Sequence, residues 1–148
     1  MAEALFGAVQ AATATLSAIK TIRKIYMGIQ GVNQEVKDVF MDIEALNSAI
    51  ESVYNCLADP ALTRANENGL AQGSSLFAPL TSCFWSCNHT VDRLRDTMSS
   101  FNDKEERLPK RVWKFAKFKN KSENLLAIRQ QLGTQLASLN TSFSALQL

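Results

Sequence analysis

Two cysteines four residues apart, Cys83 and Cys87, with the histidine His89 just beyond them, are the side chains of this sequence best suited to chemistry. Residues at i and i+4 share one face of a helix, and a structural zinc ion needs four such ligands in a tetrahedron. Here the set falls short, because Cys56 is the only further thiol and His89 the only imidazole in the chain. Buried free thiols therefore explain the pair better than a metal centre. His89 has Asn88 and Asp92 as neighbours and no spacing that would build a triad, so it reads as an exposed helical residue. The glycines Gly7, Gly28, Gly31, Gly69, Gly73 and Gly133 follow no phosphate-loop spacing. The expectation is a chain that is not an enzyme, with no metal, cofactor or small-molecule substrate. Three cysteines, an odd number without a framework, predict reduced thiols and a cytoplasmic setting at rest.

The other chemistry in the sequence is electrostatic. From Asp103 to Lys121, eight basic residues (Lys104, Arg107, Lys110, Arg111, Lys114, Lys117, Lys119 and Lys121) stand against three acids. That stretch carries +5, while the whole chain carries +2 and the remainder −3. Trp113, Phe115 and Phe118 interleave with the lysines. Such a segment suits an anionic membrane surface, where each basic residue contributes about 1 kcal/mol. The competing reading is a connector whose aromatics plug the end of a bundle while its lysines are solvated. RNA binding is a weaker third option, since only one patch is basic and the net charge of +2 makes no global case for nucleic acid.

These groups must be positioned by helices. Apolar residues recur at steps of three and four in four runs. The first is Leu5, Val9, Ala12, Leu16, Ile19, Ile22 and Tyr26, a helix over roughly residues 2 to 27 that Gly28 and Gly31 end. The second, Val36, Val39, Ile43, Leu46, Ile50, Val53 and Leu57, with Phe40 and Tyr54 widening it, starts after the N-cap Asn33 and stops at Pro60. Asp59 to Ser75 reads as the longest loop, relieved by a helical turn near Ala61 to Asn66. The third run is Leu76, Leu80, Cys83, Cys87, Val91, Leu94, Met98 and Phe101, with Trp85 packing beside it. The fourth is Leu125, Ile128, Leu132, Leu136, Leu139, Phe143 and Leu146, begun by a capping box at Asn120 and Glu123. Pro109 fits the first turn of a separate short basic helix before it. No segment alternates as a strand does.

The prediction is an all-α, up-and-down four-helix bundle with an additional short basic helix before the last long helix, one domain over residues 1–148. Its first helix departs from the others. Gly7, Ala8, Ala11, Ala12, Thr13, Ala14, Thr15, Ser17 and Ala18 make it small-sided almost all round, which permits close helix approach in a soluble bundle or in a membrane. Glu3 and the lack of an early basic residue argue against a signal peptide, and Gln10 with several threonines against a constitutive span. The sequons at Asn88 and Asn140 fall inside helical patterns and carry no weight. The leucine pattern is still running at Leu148, which is expected of the N-terminal domain of a longer protein.

The order of features resembles a known family. The apolar, small-residue start Met1-Ala2-Glu3-Ala4-Leu5-Phe6-Gly7-Ala8-Val9, the run from Val36 to Leu57 with its Ile43-Glu44-Ala45-Leu46 centre, the cysteine-bearing third helix and the Trp113-Lys114-Phe115 block before a leucine-stepped last helix are similar to the HeLo-like N-terminal domains of fungal NOD-like receptors and related STAND proteins. The resemblance implies a cell-death effector. Such a domain forms homo-oligomers on activation and then engages the anionic lipids of the plasma membrane. On that resemblance the membrane-interacting candidates are Leu5, Phe6, Val9, Leu16 and Ile19 of the first helix, and Lys110, Arg111, Trp113, Lys114 and Lys117 of the basic block. The alternative is a helical interaction or oligomerisation module without membrane activity.

Overall fold

The computed structural model describes residues 2–29, 34–61, 74–99 and 112–147. They form four helices: α1 (Ala2–Gly28), α2 (Gln34–Leu57), α3 (Ser74–Ser99) and α4 (Val112–Gln147), with no strand among the described residues. A four-helix bundle, as the spacing predicts, encloses one apolar core.

In α2 the buried line is Val36, Val39, Ile43, Leu46, Ile50, Val53 and Leu57, together with Asn47. These positions are the apolar run of the sequence, because branched aliphatics at three-four spacing leave only one face that can be hidden from water. The helix ends at Leu57, and the Asp59 carboxylate then accepts from the Ala61 backbone N–H at 2.9 Å. Asp59 thus caps the helical conformation that Pro60 and Ala61 begin.

In α1 the buried line is Ala8, Ala11, Ala12, Thr15, Ile19 and Ile22, while Leu5, Val9 and Leu16 are only half-buried. The expected stripe is rotated toward its smallest residues. The cause is the partner: α1 makes its most extensive contact with α3, and alanines let the two backbones approach. The Thr15 hydroxyl lies 2.8 Å from the Ala11 carbonyl and 3.0 Å from the Phe84 carbonyl of α3, a bond that only a close crossing allows.

In α3 the core line is Phe77, Leu80, Phe84, Cys87, Val91, Leu94 and Met98. Phe84 takes the place expected of Cys83, which is half-buried, and Trp85 is 41% exposed instead of packed. Pro79 sits inside the helix near its start, where the missing N–H costs one intrahelical bond. Phe101 and Asn33 lie outside the described residues, as do residues 62–73 between α2 and α3.

The final helix corrects the expectation of a separate basic helix. Val112–Gln147 is one helix of 36 residues, about 54 Å at 1.5 Å per residue. Asn120 and Glu123 lie within it, so no helix starts at that point. No glycine or proline stands between Val112 and Leu125, and extending an existing helix is far easier than nucleating a second one. Leu125, Ile128, Leu132 and Leu139 are buried and Leu136 and Phe143 half-buried.

Chain directions alternate, but the helices are not arranged in chain order around the bundle. Arg23 meets Glu44 and Tyr26 stacks on Phe40, so α1 and α2 run antiparallel. Cys83 meets Gln135 and Arg93 meets Gln131, so α3 and α4 do too. Glu35 lies by Glu123, Asp42 by Arg129 and Ala45 by Leu136, so α2 and α4 are parallel neighbours, as α1 and α3 must then be. The ring order is α1, α2, α4, α3, with α2 and α3 across the diagonal. A diagonal is roughly 13 Å when neighbouring axes are 8–10 Å apart. The sixteen residues between Leu57 and Ser74 span that easily.

Candidate functional site

The cysteine pair is a structural relay. Cys83 donates weakly to the Gln135 carbonyl of α4 at 3.8 Å. Cys87 hydrogen-bonds to the Cys83 sulfur, which lowers the Cys83 pKa against the opposing pull of burial. The same bond, with burial, pushes Cys87 far above the ordinary thiol range and keeps it protonated. Cys56 is raised by burial and then by Asp59. All three cysteines are free thiols, and among the described residues no three His, Cys, Asp or Glu side chains are grouped to hold a metal ion.

Beside the thiols runs a polar seam between α3 and α4. Gln135 Nε2 lies within hydrogen-bonding distance of the Ser86 carbonyl (3.1 Å), the Ser86 hydroxyl (2.9 Å) and the Thr90 hydroxyl (2.8 Å), and its buried Oε1 has no partner. Arg93 donates to Gln131 at 2.7 Å. His89 and Trp85 border this shallow groove. The arrangement ties α3 to α4 in one register.

Of the first-helix candidates, Phe6 is 68% exposed, Leu5, Val9 and Leu16 are half-buried, and Ile19 is fully enclosed in the core. The segment Glu3–Gly28 is long and apolar enough to cross a membrane, with mean hydropathy 1.2, and a third of that window is buried in the bundle. A core helix of a soluble bundle meets the same test. Of the basic candidates, Trp113, Lys114 and Lys117 lie in the first turns of α4, while Lys110 and Arg111 lie outside the described residues. The structure thus puts the two candidate groups on α1 and at the start of α4, helices that are diagonal neighbours.

Helical register adds a feature that the sequence reading missed. Counting back from Leu132, Ile128 and Leu125 in steps of three and four reaches Lys121, Lys117 and Lys114. In the sequence, that line passes through Phe118 as well as these lysines. Among the described side chains of α4, Leu125 is the first that is buried.

A groove of about 380 Å³ was also missed. It runs between α2 and α4 over Ala45, Leu126, Leu132, Gly133 and Leu136, with Asp42 and Arg129 at its edge. It continues toward Glu35 and Glu123. Arg129 donates to Asp42 at 2.8 Å and lies 3.9 Å from Asp38, and its pKa is raised first by the Asp42 bond. Leu126 is 56% exposed, and a Cβ on Gly133 would meet open space. The one available signal was Gly133, a glycine in the middle of a leucine-stepped helix. No protein-family model, no curated protein and no solved structure matches this chain.

Proposed function

We propose that the chain is a non-catalytic helical effector that engages anionic membrane surfaces when several copies are brought together, as the resemblance to HeLo-like domains implies. The observation that carries this reading is the packing of α1. A helix apolar enough to span a bilayer encloses only Ala8, Ala11, Ala12 and Thr15 fully in its first half, with Leu5, Val9 and Leu16 half-buried beside them and Ile19 and Ile22 enclosed further on. Alanine buries little area, so releasing the first four turns forfeits far less than releasing an aliphatic stripe of equal length. The basic turns at the start of α4 supply the first attraction to anionic lipid, and the apolar residues Leu5, Phe6, Val9 and Leu16 the contact that follows.

The test is vesicle co-sedimentation, with release of a trapped dye from phosphatidylserine-containing vesicles when the protein is clustered on a fused oligomeric scaffold. Binding that weakens as salt rises, is lost on charge reversal at Lys110, Arg111, Lys114 and Lys117 with helix content intact, and leads to leakage on clustering is the expected result. Neither binding nor leakage by the clustered protein would leave a plain interaction bundle.

A further inference from the structure

The groove between α3 and α4 holds an arginine unlike the others. Among the described residues, Arg23 is paired with Glu44, Arg95 with Asp92 and Asp96, and Arg129 with Asp38 and Asp42, so each of these guanidinium groups is met by carboxylate. Arg93 instead donates at 2.7 Å to the amide oxygen of Gln131, which directs the side chain along the groove and leaves its charge uncompensated. The acid beside it in the chain, Asp92, turns to Arg95 at 3.5 Å.

Around Arg93 the groove offers donors, and among the described residues no carboxylate lines it. Trp85, His89 and Arg93 stand at steps of four on one face of α3, with Gln131 and Gln135 of α4 lining the groove beside them. Between the two helices Ser86 and Thr90 are bonded to Gln135 Nε2 at 2.9 and 2.8 Å. Trp85 is 41% exposed and lies about 12 Å from Arg93 along the helix axis, counted at 1.5 Å per residue. The groove encloses about 440 Å³, within the range of small-ligand sites.

An uncompensated guanidinium takes the oxygens of a phosphate in a two-pronged bond, and an exposed indole takes the face of a flat ring. A ligand that uses both ends of this groove has a ring at one end, an anion at the other and a polar link between. We infer that the α3–α4 groove binds a nucleoside phosphate, free or as part of a single strand, with the base on Trp85 and the phosphate on Arg93. The sugar hydroxyls then fall level with His89, whose imidazole both donates and accepts. Side chains of two helices supply every contact, so no glycine loop is needed and the glycine spacing carries no sign of the site. The inference does not rest on the membrane reading, because it uses no residue of α1 or of the basic turns and its test contains no lipid.

Fluorescence titration of a Trp113→Phe protein, in which Trp85 is the single tryptophan, tests it with ADP, adenosine, pyrophosphate and a short oligoadenylate. ADP should quench Trp85 saturably, and its binding should weaken as salt rises. Adenosine, which lacks the anion, and pyrophosphate, which lacks the ring, should each bind about tenfold or more weakly, the loss expected for one charged hydrogen bond or one stacked base. Arg93→Gln should lose a similar factor with its melting temperature unchanged, since Arg93 is exposed. Gln131→Glu should lose it too, although it removes no cation, because it gives Arg93 a carboxylate within the chain. Oligoadenylate binding tighter than ADP, with the same dependence on Arg93, would name a single strand as the source; ADP binding at least as tight would name the free nucleotide. No saturable quenching by either, pyrophosphate binding as tight as ADP, or titrations unchanged in Arg93→Gln and Gln131→Glu would each overturn the proposal.

Discussion

Helices α1 and α2 have nearly the same length, 27 and 24 residues, and run antiparallel side by side, yet they are held by different means. In α2 seven branched aliphatic side chains fill the core. In α1 most of the enclosed positions before Ile19 are alanines, and a threonine hydroxyl reaches a carbonyl of α3. Burying a Val, Leu or Ile contributes about 1.5–3 kcal/mol. An alanine contributes a fraction of that, so α2 is anchored by area while α1 is fitted by proximity. Removing volume should therefore damage α2, and adding volume should damage α1.

The largest effect should follow from Leu46→Ala or Ile43→Ala, where both side chains are fully enclosed. Each should lose about 2–5 kcal/mol, measured by denaturant unfolding. Leu136→Ala should lose less, because Leu136 is half-buried at the edge of the groove. Next comes the reverse operation on α1. Ala11→Leu should cost about 1–3 kcal/mol by forcing α1 away from α3, whereas Gly7→Ala, which meets nothing within 4 Å, should stabilise the helix by roughly 0.5–1 kcal/mol. If Ala11→Leu were neutral, the close crossing of α1 on α3 would be wrong.

A smaller loss, about 0.5–1.5 kcal/mol, is expected of Thr15→Val, which keeps the shape and removes the hydroxyl bond to Phe84. The smallest effect concerns the ion pair that joins the two helices at the other end. Arg23 binds Glu44 through two hydrogen bonds, 2.6 and 2.9 Å, and that contact lowers the Glu44 pKa while raising that of Arg23. Both side chains are more than a third exposed, so solvent screening holds the pair to below about 1 kcal/mol. A depressed carboxyl stabilises the fold above its unfolded pKa, near 4.3 for Glu, and that contribution disappears as pH falls through the lower folded value. Unfolding of Glu44→Gln followed from pH 7 to pH 3 should show a slightly flatter decline than the parent; an identical slope would remove the pair from the account.

The contrast also explains what could be read from the sequence. The lines of α2 and of the second half of α4 were legible because large aliphatics at regular steps admit one register. In α1 the apolar residues cover most of the circumference, and the rule that the largest are the most buried fails where two helices touch closely. Cys83 and Phe84 differ by one position, and only the flanking of α3 by both α1 and α4 decides that Phe84 goes inside. The ring order was illegible because a long link permits either a neighbouring or a diagonal partner. The continuity of α4 had a signal, the absence of any breaker from Val112 to Leu125, but the N-cap pattern at Asn120 outweighed it. Of the candidate site, the charges were legible and the groove was not, since it is made by two helices that only the fold brings side by side.

Two residues turn the comparison into a direct measurement. Phe6 on α1 and Met41 on α2 are equally exposed in the bundle, each 68%. With Trp85 and Trp113 replaced by phenylalanine, a single tryptophan placed by Phe6→Trp or by Met41→Trp reports on its own helix. On phosphatidylserine vesicles with brominated acyl chains, the account predicts strong quenching at position 6 and little at position 41, with both proteins bound. Equal quenching at the two positions, or bound protein with no quenching at position 6, would contradict the claim that α1 is the helix that meets the membrane.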